Sequence, residues 1–89
     1  MTYGLAITPT CKETIKRICK KNPVLEKAIW NKVNEILENP QHYKPLRHDL
    51  AGQKRAHIMK SFVLKFEVDE ATKTVTFLFF GYHDEAYQK

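Results

Sequence analysis

The sequence predicts an α+β domain with the order β-α-α-β-β-β, a helical hairpin lying on a small, mostly antiparallel sheet. Three observations carry that prediction. Up to Pro40 the apolar residues recur at helical spacing, and beyond it they alternate as strands do. Two proline-bearing cap signals, Thr8-Pro9 and Asn22-Pro23, mark helix starts that follow each other closely. The chain has 89 residues, 43% of them hydrophobic, enough for one core and too few for two, so residues 1–89 form a single domain.

Tyr3 to Ile7 is short, apolar and bounded by Thr8-Pro9, which suits a strand running straight into a helix. Either Thr8 caps that helix with Pro9 in its first turn, or Thr10 forms a capping box with Glu13. Cys11, Ile15, Ile18 and Cys19 share one face, and Lys12, Lys16 and Lys20 form a solvated row on another. Asn22-Pro23 ends the first helix and opens the second with almost no linker, so the two fold back on each other. Leu25, Ile29, Val33, Ile36 and Leu37 make the second stripe, widened by Val24, Ala28 and Trp30, with Trp30 read as packing. Asn39-Pro40 stops this helix, and the polar stretch from Gln41 to Arg47 is read as loop. From 53 to 59 Ala56 and Ile58 point one way and Arg55, His57 and Met59 the other. A tight turn at Lys60-Ser61 leads to Phe62, Leu64, Phe66 and Val68 on the core side, with Val63, Lys65 and Glu67 opposite. Asp69 to Thr72 is a polar turn, and Thr74 to Phe80, apolar on both faces towards its end, reads as a central strand.

The formal net charge of +5 and sequence pI of about 9.3 favour polyanionic partners, nucleic acid or a ribosomal surface, over acidic proteins. The N-terminus shows no cleavage pattern, and no run approaches the ~18 apolar residues of a membrane span, so a cytoplasmic protein is expected. Cys11 and Cys19 are eight apart on one expected helix, about 12 Å of rise, too far for a disulfide, and read as buried thiols.

The basic charge is concentrated. Between Lys44 and Lys65 lie six Lys or Arg (Lys44, Arg47, Lys54, Arg55, Lys60, Lys65) against a single acid, Asp49, with His48 and His57 among them. Imidazoles titrate near neutrality, so histidines within a cationic patch suit acid/base cleavage of a polyanion. The plainer alternative is a solvated basic hairpin face.

The order of elements and the last three strands resemble the RelE/ParE superfamily of small toxins, and within it the YafQ-type and RelE-type messenger-RNA interferases. The residues that carry the likeness are His48 before Leu50-Ala51-Gly52, His57-Ile58 before Phe62, and His83 after Gly81-Tyr82, with Tyr87 at the terminal aromatic position. The chain departs from the family pattern at four places. Ser61 replaces an aspartate of the YafQ turn, Val63 an arginine of RelE-like members, His83 a C-terminal arginine of RelE, and Lys44 a glutamate of YoeB-like relatives. The resemblance therefore implies imidazole chemistry rather than a carboxylate base or a RelE-like guanidinium. It also implies dependence on the ribosome and a cognate inhibitory antitoxin, RelB/DinJ-like, partly helical and acidic, that covers the basic face.

Cleaving RNA through its own 2′-hydroxyl needs a base for that proton, cations on the phosphate and an acid for the departing 5′ oxygen. On the resemblance, His83 is the acid and His57 or His48 the base. Arg55, Lys54, Arg47, Lys65, Lys60 and Lys44 are candidate phosphate ligands, and Tyr87 is a stacking or sugar-orienting residue. His42 lies outside the motif and reads as a surface loop residue. The expected enzyme is a metal-independent endoribonuclease without cofactor. Three histidines could instead hold zinc, but they lack short ligand spacing and the surrounding cations repel a dication. A ParE-like gyrase inhibitor or a non-catalytic RNA- or ribosome-binding protein would share the fold and the basic face without needing the histidines.

Overall fold

In the computed structural model, which describes residues 2–43 and 53–82, strand β1 (Gly4–Ile7) becomes helix α1 (Pro9–Cys19) through one residue, Thr8. Thr8 has an extended backbone, its Oγ1 accepts from the Cys11 N–H at 3.2 Å, and its own N–H donates to the Phe77 carbonyl at 3.0 Å. Of the two starts open to the sequence, Thr8 with Pro9 in the first turn is the one adopted, because the strand hydrogen bond fixes Thr8 where a cap is needed. Asn22 does the same for helix α2 (Pro23–Glu38), its Oδ1 accepting from the Leu25 N–H at 3.1 Å. Asn39 closes α2, and Pro40–His42 forms one 3₁₀ turn at the start of the stretch read as loop.

Strands β2 (Gln53–Ile58), β3 (Phe62–Asp69) and β4 (Thr74–Tyr82) complete a four-stranded sheet of order β1-β4-β3-β2. β1 runs parallel to β4, and the other two pairings are antiparallel. Both helices lie on one face, α1 over β4 and α2 over β2. The core joins the expected stripes, Cys11, Ile15 and Cys19 from α1 and Leu25, Ile29, Val33, Ile36 and Leu37 from α2, to Ala56, Ile58, Leu64, Phe66, Val75, Phe77 and Phe80 of the sheet. Both cysteines are buried free thiols, and burial pushes the Cys11 thiol up to about 11.

Four local expectations are corrected. β2 ends at Ile58, not Met59: Ile58 pairs with Phe62, so the reversal takes Met59, Lys60 and Ser61, with Met59 and Lys60 in the left-handed region (φ 51° and 66°). β4 does not end at Phe80 but continues through Gly81 and Tyr82, with Gly81 paired to Val63. Val24 and Trp30 do not widen the buried stripe: they are 66% and 39% exposed, since the narrower stripe already covers β2. Val63, on the face opposite the helices, is fully buried.

At the β3–β4 turn, Asp69 Oδ1 accepts from the N–H groups of Ala71 and Thr72 at 2.9 and 3.3 Å. Glu70 accepts from Tyr3, Lys73 and Gln41, tying this turn to the N-terminal segment and the 3₁₀ turn. Hydrogen bonds from Lys73 and Tyr3 hold its carboxyl below the usual range. Among the described residues no helix is long and apolar enough to cross a membrane.

Candidate nucleic-acid interface and catalytic site

The side of the sheet away from the helices carries the candidate chemistry, and the strand register dictates what meets there. Arg55 on β2 is the cross-strand partner of Lys65 on β3, which is the partner of Phe79 on β4. The next row is His57, Val63 and Gly81. Direct cross-strand neighbours have Cβ atoms about 4.5–5.5 Å apart, and alternate residues of one strand are about 7 Å apart. Arg55, Lys65 and His57 therefore fall within the reach of one phosphodiester. The Lys65 ammonium lies 5.1 Å from the Phe79 ring centroid, which holds that cation over the sheet. His57 is exposed, beside a buried Val63.

A β-bulge makes this arrangement. Lys65 pairs with Phe79 but Phe66 pairs with Phe77, so Leu78 is an extra residue in β4. Val75 and Phe77 face the helices before the bulge and Phe80 does after it, which turns Phe79 and Gly81 to the face away from the helices, where Gly81 is buried like its neighbour Val63. Phe62 then stacks on Phe80 at 5.3 Å and meets Tyr82 at 4.8 Å on the helix side. Thr8 ties the bulge to the helix cap, its hydroxyl donating to the Leu78 carbonyl at 3.4 Å.

Of the residues expected at the site, Arg55, His57 and Lys65 come together. Lys60 is exposed at the β2–β3 reversal. Lys54 does not join them: it shares the helix-side parity of Ala56 and Ile58, and its ammonium donates to the Tyr43 carbonyl at 3.2 Å. His48, His83, Lys44, Arg47 and Tyr87 lie outside the described residues. Among the described residues no three His, Cys, Asp or Glu side chains gather as ligands for a metal ion.

The structure also brings in residues the sequence reading left aside. A pocket of about 440 Å³ at the outer edge of β2 is lined by Arg55, Ala56 and His57 together with Lys32, His42 and Tyr43. The Tyr43 ring is held edge-on between His42 (5.3 Å) and Phe66 (5.7 Å). Burial, then the Glu35 charge, raises its phenol above the ordinary value. Only the 3₁₀ turn after Pro40 sets His42 here, and helical or strand periodicity carries no sign of that turn.

No protein-family model matches the chain. The chain is 47% identical over 87 residues to the protein carrying the toxin name RelE4 in Methanocaldococcus jannaschii, covering 98% of this chain and 93% of that one. The chain belongs to the RelE family of toxins. An uncharacterised protein of Methanosarcina mazei is 39% identical over 85 residues, 96% of this chain and 99% of its own length. Solved RelE-family structures share the fold. The Mycobacterium tuberculosis toxin-antitoxin complex RelBE2 contains a chain with TM-score 0.77 at 24% identity, covering 93% of this chain and all of that one. A double mutant of E. coli RelE in the free state superposes with TM-score 0.77 at 19% identity, over 98% of this chain and 88% of that one, and E. coli YafQ with 0.65 at 16%, over 97% and 99%. Two helices on a four-stranded mixed sheet is thus the RelE-family architecture, as the sequence led one to expect.

Proposed function

We propose that this RelE-family chain is the toxin of a type II toxin-antitoxin module and a metal-independent endoribonuclease that cuts messenger RNA on the ribosome, in the cytoplasm. The observation that carries the reading is the cluster on the sheet face away from the helices, the cross-strand pair Arg55 and Lys65 with His57 in the next row: two cations at the reach of one phosphate, beside an exposed imidazole. In this reading a base, His57 or His48, removes the proton of the 2′-hydroxyl. The 2′ oxygen attacks the adjacent phosphorus, Arg55 and Lys65 hold the charge that builds on the phosphoryl oxygens, and the P–O5′ bond breaks. The departing 5′ oxygen takes a proton from His83, leaving a 2′,3′-cyclic phosphate on one product and a 5′-hydroxyl on the other. Lys60, Arg47 and Lys44 extend the cationic track, and Tyr87 stacks on a base or orients the sugar.

Control falls to a cognate antitoxin, RelB/DinJ-like, an acidic and partly helical peptide. It silences the toxin by covering the basic face.

The test is purified protein added to programmed ribosomes, with the ends of the message mapped and their chemistry determined. Cyclic-phosphate and 5′-hydroxyl ends, unchanged by chelator and lost when the cut nucleotide carries a 2′-deoxy sugar, are the expected result. Positioned acid/base groups contribute about 10²- to 10⁴-fold, so His57→Ala and His83→Ala should each lose activity in that range. Intact message from every preparation would instead favour a ParE-like or purely binding role.

A further inference from the structure

We infer that the pocket at the outer edge of β2 is a second nucleotide subsite, which takes the RNA residue flanking the scissile phosphate and reads its base. The inference rests on the proposed function and adds to it a specificity site that shares Arg55 and His57 with the cleavage site and extends to Lys32, His42 and Tyr43. Arg55 and His57 belong both to the sheet face away from the helices and to this pocket, so a strand of RNA crossing the face runs into it without a gap. Its volume, about 440 Å³, falls in the range of roughly 300–1,000 Å³ common for small-ligand sites.

The chemistry of the walls is divided. Arg55 from β2 and Lys32 from α2 supply cations for a phosphate. Lys32 also pairs with Glu35 at 3.7 Å, a partly exposed contact that a phosphate can displace at little cost. On the other side stand His42 and Tyr43, rings that a base can contact. That pair is held in place: Tyr43 bears on buried Phe66, its carbonyl accepts from Lys54, and the His42 N–H donates to the Asn39 carbonyl at 3.2 Å. Beyond His42 a smaller hollow of about 230 Å³ is bordered by Glu35, Glu38 and Asn39. Glu38 there repels a phosphate and its carboxylate accepts from N–H groups, which orients the nucleotide with its phosphate towards Arg55 and Lys32. It favours bases bearing an exocyclic amino group, adenine, cytosine or guanine, over uracil.

The test uses the intact protein and a 2′-O-methyl single-stranded oligoribonucleotide, which cannot be cut, with binding followed by fluorescence anisotropy. The Lys32→Ala/His42→Ala variant should bind at least tenfold more weakly, with a salt slope lower by about 0.7 for the lost phosphate contact. Lys32→Arg/His42→Phe keeps the charge and the ring and should restore binding, which separates recognition from damage to the fold. In the ribosome assay the alanine variant should lose discrimination against uridine at one position beside the cut, and Glu38→Gln should weaken the same discrimination. Wild-type binding and an unchanged cut pattern in the alanine variant, while Arg55→Ala is impaired, would overturn the subsite and leave the proposed function intact. No RNA binding or cleavage by the wild-type protein would overturn both.

Discussion

Replacing Arg55 and Lys65 together by alanine should remove the cations that meet one phosphate on the sheet face away from the helices, and the size of the effect can be worked out. The two side chains are direct cross-strand partners, with Lys65 held over Phe79, so a single bound strand meets both. Each neutralised phosphate contributes about 0.7 to the slope of log affinity against log salt for a single strand. Between 50 and 200 mM salt, a fourfold change, wild-type affinity should therefore fall about 2.6-fold more than that of the double variant. Fluorescence anisotropy with an uncleavable oligoribonucleotide measures it, with thermal melting to confirm that the variant is folded. Lys54→Ala is the internal control: its ammonium lies on the helix side, bonded to the Tyr43 carbonyl, so its slope should stay near the wild-type value. A ratio of affinities independent of salt, or a larger slope change for Lys54 than for Arg55 and Lys65, would refute the assignment of this sheet face as the RNA surface.

Three further outcomes follow from the fold. Thr8→Ala removes both the α1 cap and the hydroxyl contact to the bulge, and should cost about 1 kcal/mol, lowering Tm by about 4–8 °C. Met59→Asn, at a solvent-exposed position with φ 51°, should raise stability by about 0.5–1 kcal/mol in denaturant titrations, because asparagine tolerates the left-handed region better than methionine. Burial raises the Cys11 thiol from 9.0 to about 11, so the neutral thiol contributes stability in full below pH 9 that is lost as pH rises from 9 towards 11. The loss is at most about 3 kcal/mol, and comparing urea midpoints of wild type and Cys11→Val at pH 8 and 11 isolates it from other alkaline titrations.

The elements were legible because each end carries its own chemistry. Thr8-Pro9 and Asn22-Pro23 place polar acceptors where helices have unsatisfied N–H groups, and both act as caps in the structure. Alternation put Arg55 and His57 on one face of β2 and Ala56 and Ile58 on the other, as observed. Applied with the same strictness, alternation also separates Lys54 from Arg55, and grouping the two by adjacency alone ran against it. Trp30 and Val24 flank a true apolar stripe, and how wide a stripe the sheet can cover is a tertiary property. The meeting of His42 with His57 was illegible for a like reason. It depends on a 3₁₀ turn swinging back to the β2 edge, which no spacing along the chain encodes.

The bulge at Leu78 shows where sequence pattern runs out and physical constraint takes over. Phe77, Leu78, Phe79 and Phe80 are all apolar, so hydrophobicity cannot say which ring faces the helices, and an uninterrupted strand would send Phe79 inward and Phe80 outward. The extra residue reverses that choice beyond Lys65, and Thr8, bonded to both Phe77 and Leu78, fixes the reversal from the start of α1. Phe79 thereby becomes the ring under the Lys65 ammonium, and Gly81 the residue beside Val63. This also gives a physical meaning to the departure at Val63. The position where RelE-like members carry an arginine is fully buried here, and a guanidinium could not be charged and solvated there without disrupting the row. With a buried valine in the middle strand, the functional groups stand around it rather than on it, Arg55 and His57 on one side and Lys65 with Phe79 in the next row. Under the proposed mechanism, chemistry that the pattern assigns to one central arginine is left to imidazole and to cations on the flanking positions.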